Sequence, residues 1–256
     1  MLAARIRSMG SPHWLALYAL ILGGWGLLYA MAVPADLRDL GAVYGLDLLL
    51  SLCVATPDAA GFLGLTAMWA IMSAAMMAPT ALPAFAVYDD LSARGGGRFG
   101  GLLAGYMAVW LGFSVLAAAL QLALYQAGYV TVFGDSQSAV LSGLLLILAG
   151  GYQFSALKDA CLTQCRAPLA FFVQHWGEGA WRNGLRLGAA CLGCCWALMA
   201  LAFVGGVMNL AFMGLATLVM ALEKLPEIGA RITRPLGFAL IGAGVLTLAA
   251  GLLGQA

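Results

Sequence analysis

Apolar residues run along this chain in long blocks rather than in the two-residue alternation of a strand or the stripe of a surface helix. Blocks long enough to cross a bilayer, which takes about 20 helical residues, fall at about 14–34, 61–87, 100–127, 138–157, 185–205, 207–223 and 234–253. The stretch 185–223 is nearly uncharged. As one helix of about 1.5 Å per residue it would reach about 58 Å, against a hydrocarbon core of about 30 Å. It is therefore read as two spans divided at Gly205-Gly206-Val207-Met208-Asn209. The pattern predicts an all-α fold, a polytopic transmembrane helix bundle of about seven spans that makes up a single membrane domain over residues 1–256.

The placement of charge tests this division, because Lys and Arg near span ends accumulate on the cytoplasmic side. The N-terminus carries Arg5 and Arg7, the second loop Arg94 and Arg98, the fourth Lys158, Arg166, Arg182 and Arg186, and the sixth Lys224, Arg231 and Arg234. The intervening segments hold only Arg38. Alternate segments thus carry 11 basic residues against 1, and seven spans with a cytoplasmic N-terminus reproduce this. The segment 40–55 would be an eighth span, but it is short, contains Asp47, and would invert every later loop. It is expected to lie on the outer surface or to re-enter. The acids of that first loop, Asp36, Asp39, Asp47 and Asp58, are expected to be solvated rather than to gather cations.

Composition agrees: 63% of residues are hydrophobic and 9% charged, where a soluble domain carries about a quarter charged. Twelve basic and 11 acidic residues leave no field to attract nucleic acid, so the expected surroundings are a lipid bilayer. The first apolar run is too long for a signal-peptide core and is read as a retained helix. No phosphate-binding loop is present to support ATP hydrolysis. The two histidines, His13 and His175, fall outside the spans, which disfavours both enzyme chemistry and a bis-histidine haem in the bilayer. Small residues recur four apart, as in Gly101/Gly105 and Gly184/Gly188, a spacing that lets membrane helices approach closely.

Sulfur is the chemistry left. In the second span Met72 and Met76 continue a four-residue stripe from Met68, with Met77 adjacent, before Pro79 and Pro83 weaken the helix. In the fifth, Cys191, Cys195 and Met199 repeat that spacing, with Cys194 in the same arc. Cys161 and Cys165 lie four apart beyond the fourth span and share a face if that helix continues to Pro168, beside Lys158 and Arg166. Five of the six cysteines lie in or beside helices rather than in outer loops, which argues against disulfide stapling.

Counting about 1.5 Å per residue from Asp89, Lys158, Arg186 and Glu223 as a common boundary puts Cys161 and Cys165 roughly 4–10 Å outside it. On the same count Cys191 lies about 7 Å inside, Cys194 and Cys195 about 12–14 Å, and Met76, Met77 and Met199 about 18–20 Å. The expectation is a ladder of sulfur from cytosol to midplane, with Glu223 and Lys224 as interfacial charges and His175 as an outlying donor. Thiolates and thioethers select soft ions, above all Cu(I), with zinc on four thiolates as the alternative at the cysteines. Two other readings stay open: a scaffold or assembly subunit in which Cys and Met only fill space, and a thiol-redox protein, which adjacent cysteines on a helix suit badly.

The elements Trp69-x2-Met72-x3-Met76-Met77-x-Pro79, Lys158-x2-Cys161-x3-Cys165-x2-Pro168, Gly188-x2-Cys191-x2-Cys194-Cys195-Trp196-x-Leu198-Met199, Gly206-x-Met208-Asn209 and Glu223-Lys224 together resemble a bacterial family of integral membrane proteins. That family is described as predicted metal-binding and copper-chaperone-like. The resemblance implies a multi-helix membrane protein that handles a metal, copper before others; with the sulfur pattern and the charge placement, the expectation is a multi-pass protein of the bacterial inner (cytoplasmic) membrane that passes Cu(I) between sulfur ligands and exchanges it with a copper donor or acceptor protein.

Overall fold

The computed structural model describes residues 11–32, 51–95 and 98–253. They form α1 (Pro12–Met31), α2 (Ala59–Gly95), α3 (Phe99–Gln126), α4 (Ala139–Tyr152), α5 (Ala156–Arg166), α6 (Pro168–His175), α7 (Ala180–Ala200), α8 (Ala202–Gly205), α9 (Leu210–Glu223) and α10 (Pro226–Leu253). Among the described residues there is no strand, only an isolated bridge between Val130 and Ser136. The expected all-α membrane bundle is what forms. Arg5, Arg7, Arg38, Asp36, Asp39, Asp47 and most of the segment 40–55 lie outside the described residues.

Local chemistry sets the helix ends. Pro12 and Pro168 occupy first-turn positions of α1 and α6, where a missing N–H costs nothing. Ser138, Ser155 and Asn209 accept from Leu141 N, Lys158 N and Phe212 N at the starts of α4, α5 and α9. Asp58 accepts from Gly61 N at 2.7 Å ahead of α2, so this acid of the first loop serves as a helix cap. Gly206, at φ 94°, turns the chain after α8, a conformation glycine adopts without a Cβ penalty. The break expected at 205–209 is therefore real.

Five helices (α1, α2, α3, the α7–α8 stretch and α10) are long and apolar enough to cross a membrane. The predicted span 138–157 corresponds to α4, after which the chain bends by 62° into α5. The continuous helix to Pro168 that the sequence suggested does not form, because Ser155 caps a new helix in a new direction. The predicted span 207–223 is α9, whose 14 residues rise about 21 Å. Leu22, Leu116, Phe238 and Leu246 stand exposed on the outside, the apolar surface of a protein whose solvent is lipid.

The helices pack through residues that the sequence marks as small. Gly105 and Gly184 meet with no side chain between them, Gly101 faces Ala180, and Gly188 faces Val109, so α3 and α7 run parallel along two interlocked glycine pairs. A second seam joins α4 to α10 antiparallel, with Gly143 against Gly244 and Gly150 against Gly237. Trp14 donates to Asp89 at 2.8 Å, and Phe85 packs on Phe99. These contacts bring the start of α1, the end of α2 and the start of α3 to one end of the bundle, which also holds α5, α6 and the starts of α7 and α10. It is the end that carries Arg98, Arg182, Arg186, Arg231 and Arg234.

Candidate metal centre

The interior of the basic end is organised around two interruptions in helices. In α2, Pro79 has no N–H for the carbonyl of Ala75, four residues earlier; the indole of Trp25 in α1 donates to that carbonyl at 3.0 Å instead. One turn on, the carbonyl of Met77 accepts from Thr80 Oγ1 at 2.9 Å and from the Tyr106 hydroxyl at 3.0 Å. Tyr106, fully buried on α3, also stands 3.0 Å from Cys191 Sγ. The proline-weakened turn of α2 is thereby connected to the first cysteine of α7.

The second interruption is the end of α9. Lys224 follows it directly, and its ammonium reaches Thr80 Oγ1 at 2.6 Å and Cys191 Sγ at 3.0 Å. Cys191, Cys194 and Cys195 are each 1% exposed. Cys194 Sγ lies 3.2 Å from Cys195 Sγ and donates to the carbonyl of Cys191 at 3.1 Å. Cys165 of α5 lines the same cavity as Cys191. Cys165, Cys191, the Lys224 ammonium and the Tyr106 phenol thus line a cavity of about 600 Å³ that opens among α1, α2 and α9, with Trp14 and Pro79 also in its walls, while the Cys194 and Cys195 pair lies one turn further along α7, outside that lining.

What holds α5 against α7 is specific. The Tyr152 hydroxyl at the end of α4 donates to the carbonyl of Gly193 at 2.6 Å. Gly193 has no Cβ, and Cys161 Sγ occupies the space one would fill. At the other side of α5, Lys158 forms a fully buried ion pair with Glu223 at 2.8 Å, and Arg166 Nε donates to the carbonyl of Glu223 at 2.9 Å. Among the described residues no three His, Cys, Asp or Glu side chains converge to enclose an ion; the sulfurs are disposed as neighbouring pairs.

The sequence matches the copper-chaperone family PpoB2 over residues 66–247. The chain belongs to that family. No curated protein and no solved structure matches it. The matched region runs from α2 into α10 and includes Cys161, Cys165, Cys191, Cys194 and Cys195, while α1 and Cys53 fall outside it.

Within this family member the expected residues divide. Cys165 shares a cavity with Cys191; Cys161 packs on α7 at Gly193 but lines a separate cavity of about 560 Å³ with His175 and Arg186. The expected depth separation between the two cysteine groups is corrected, because the bend before α5 folds that helix back on α7. Lys158 and Glu223, taken from the sequence as boundary charges, are instead buried, and Lys224 is enclosed beside Cys191. Met72, Met76, Met77 and Met199 are all buried in the same core; of these, Met77 is tied to the cysteines, through its carbonyl and Tyr106. His175 bonds the carbonyl of Phe171 at 2.8 Å and stands apart from the cluster. Sequence reasoning missed Thr80 and Tyr106, which no spacing marks. It also missed the pair formed by Cys53 and Met208, whose sulfurs lie 3.6 Å apart. Burial pushes the Cys53 thiol up to about 11, so it is protonated at neutral pH and acts there as a donor.

Proposed function

We propose that this protein binds Cu(I) through its cysteine pairs and passes it between the cavity at the basic end and the interior of the membrane. The observation that carries the reading is the set of buried cysteines at that end, with Cys165 and Cys191 in the cavity lining and Cys194 and Cys195 paired at 3.2 Å one turn further along α7. Soft thiolates select Cu(I) over hard cations, and neighbouring pairs allow ligand exchange in which the ion is never free. A structural zinc site needs four ligands about one point, a disposition that pairs do not offer.

In this reading the basic end is cytoplasmic, by the excess of Lys and Arg, and the chain makes seven passes of the bacterial inner membrane, with α4–α5 and α9 as the irregular ones. A copper donor or acceptor protein docks at the cavity mouth, and the chain itself catalyses no reaction. The test is metal analysis of purified protein given Cu(I) under reducing conditions. Wild type is expected to retain Cu(I) in a fixed ratio, and the triple variant C191S/C194S/C195S to lose it while keeping its helical content. Equal retention by both would refute the assignment.

A further inference from the structure

Lys224 is the group that the copper reading leaves unused. It is buried at the wall of the cavity with its ammonium 3.0 Å from Cys191 Sγ. The nearest buried carboxylate, Glu223, is taken by Lys158. Its other partner, Thr80, is a neutral hydroxyl. Arg166 also lines the cavity, but its Nε is bonded to the carbonyl of Glu223 and its Nη2 is buried against Gly229 of α10. The charge that faces the sulfur pairs at close range is therefore a single fixed positive one.

We infer that Lys224 is a specificity-determining residue that selects a monovalent soft ion over a divalent one at the cysteine cluster. This rests on the proposed function. Two thiolates and one Cu(I) leave a net charge of minus one, which the Lys224 ammonium cancels. Two thiolates and Zn(II) are neutral by themselves, so the same lysine leaves them with an uncompensated positive charge. An unpaired charge removed from water is penalised by lost solvation. A third anionic ligand would restore balance for zinc, but among the described residues no three such side chains converge.

The test is a competition between Cu(I) and Zn(II) for full-length protein in lipid nanodiscs, each affinity read against a chelator of known strength. Replacing the ammonium by a chain of similar length, K224M, is expected to weaken Cu(I) and strengthen Zn(II), narrowing the preference by about tenfold or more. Movement in opposite directions is the signature, since a lysine that merely held the fold would weaken both. K224R keeps the charge and is expected to keep the wild-type preference. K224Q is read in place of K224M if the latter is not monodisperse. A K224M protein with the wild-type ratio, or one that loses both ions together, overturns the inference and leaves copper binding intact. A wild type that binds neither ion overturns the copper reading itself, and this inference with it.

Discussion

Lys158 and Glu223 are 65 residues apart in the chain and form an ion pair at 2.8 Å with each side chain 1% exposed. Such a pair contributes little net stability, because taking two charges out of water offsets their attraction, but removing one partner strands the other. K158M or E223Q alone should therefore destabilise the protein by about 3–5 kcal/mol, whereas K158M/E223M should recover most of that loss. Unfolding of the three variants in mixed micelles separates these outcomes. A double variant as unstable as either single one would mean that the pair does more than neutralise itself.

The bond from Trp25 to the Ala75 carbonyl exists because Pro79 cannot make it. W25F should cost about 1–3 kcal/mol by leaving that carbonyl unsatisfied. In a P79A background the backbone N–H of residue 79 becomes available to the same carbonyl, and W25F should then cost clearly less. The coupling is measured by the double-mutant cycle of Trp25 and Pro79. Additive effects would show that the indole matters for packing alone.

How much of this was legible in the sequence depends on which interactions are local. Gly101/Gly105 and Gly184/Gly188 announced a close helix contact by their spacing, and they found each other. The break at Gly206 was legible from length, since no single helix of that extent fits a bilayer. The return of α5 was not. Its sequence read as an extension of the fourth helix to Pro168 at the cytoplasmic surface, beside Lys158 and Arg166, and what brings it back is tertiary: the Ser155 cap, the Tyr152 bond to Gly193, and the ion pair to Glu223. The seam of α4 with α10 was missed because its glycines are seven apart, Gly143/Gly150 and Gly237/Gly244, a period that draws no notice when glycine is this common.

The parallel seam gives a graded test. A Cβ on Gly184 would fall on the backbone carbonyl of Leu102, which cannot move without separating α3 from α7. G184A should cost at least the 1–3 kcal/mol typical of overpacking, about the upper end because the obstacle is backbone. Gly112, on the same α3, has nothing within 4 Å of its would-be Cβ. G112A should be neutral or stabilising by up to about 1 kcal/mol through helix propensity. Thermal unfolding of both in one detergent compares them directly, and similar losses would contradict the close approach.

Cys161 and Cys165 occupy the same helix, one turn apart, yet face different surroundings. Cys165 opens on the cavity lined by Cys191 and Lys224, while Cys161 lies over Gly193 and opens on the cavity of His175 and Arg186. If copper reaches the α7 cysteines by exchange between neighbouring thiolates, Cys165 is the ligand that shares a cavity with the first of them. C165S should then slow Cu(I) transfer from a soluble donor to the cluster by about tenfold or more, the loss of one strong metal ligand. C161S should change it much less. Stopped-flow transfer from a Cu(I)-loaded chelator, followed with both single variants and the double variant, decides the order. Equal slowing by C161S and C165S would place both thiols on one path, and no slowing by either would mean that copper reaches Cys191 through the cavity wall formed by α1 and α2.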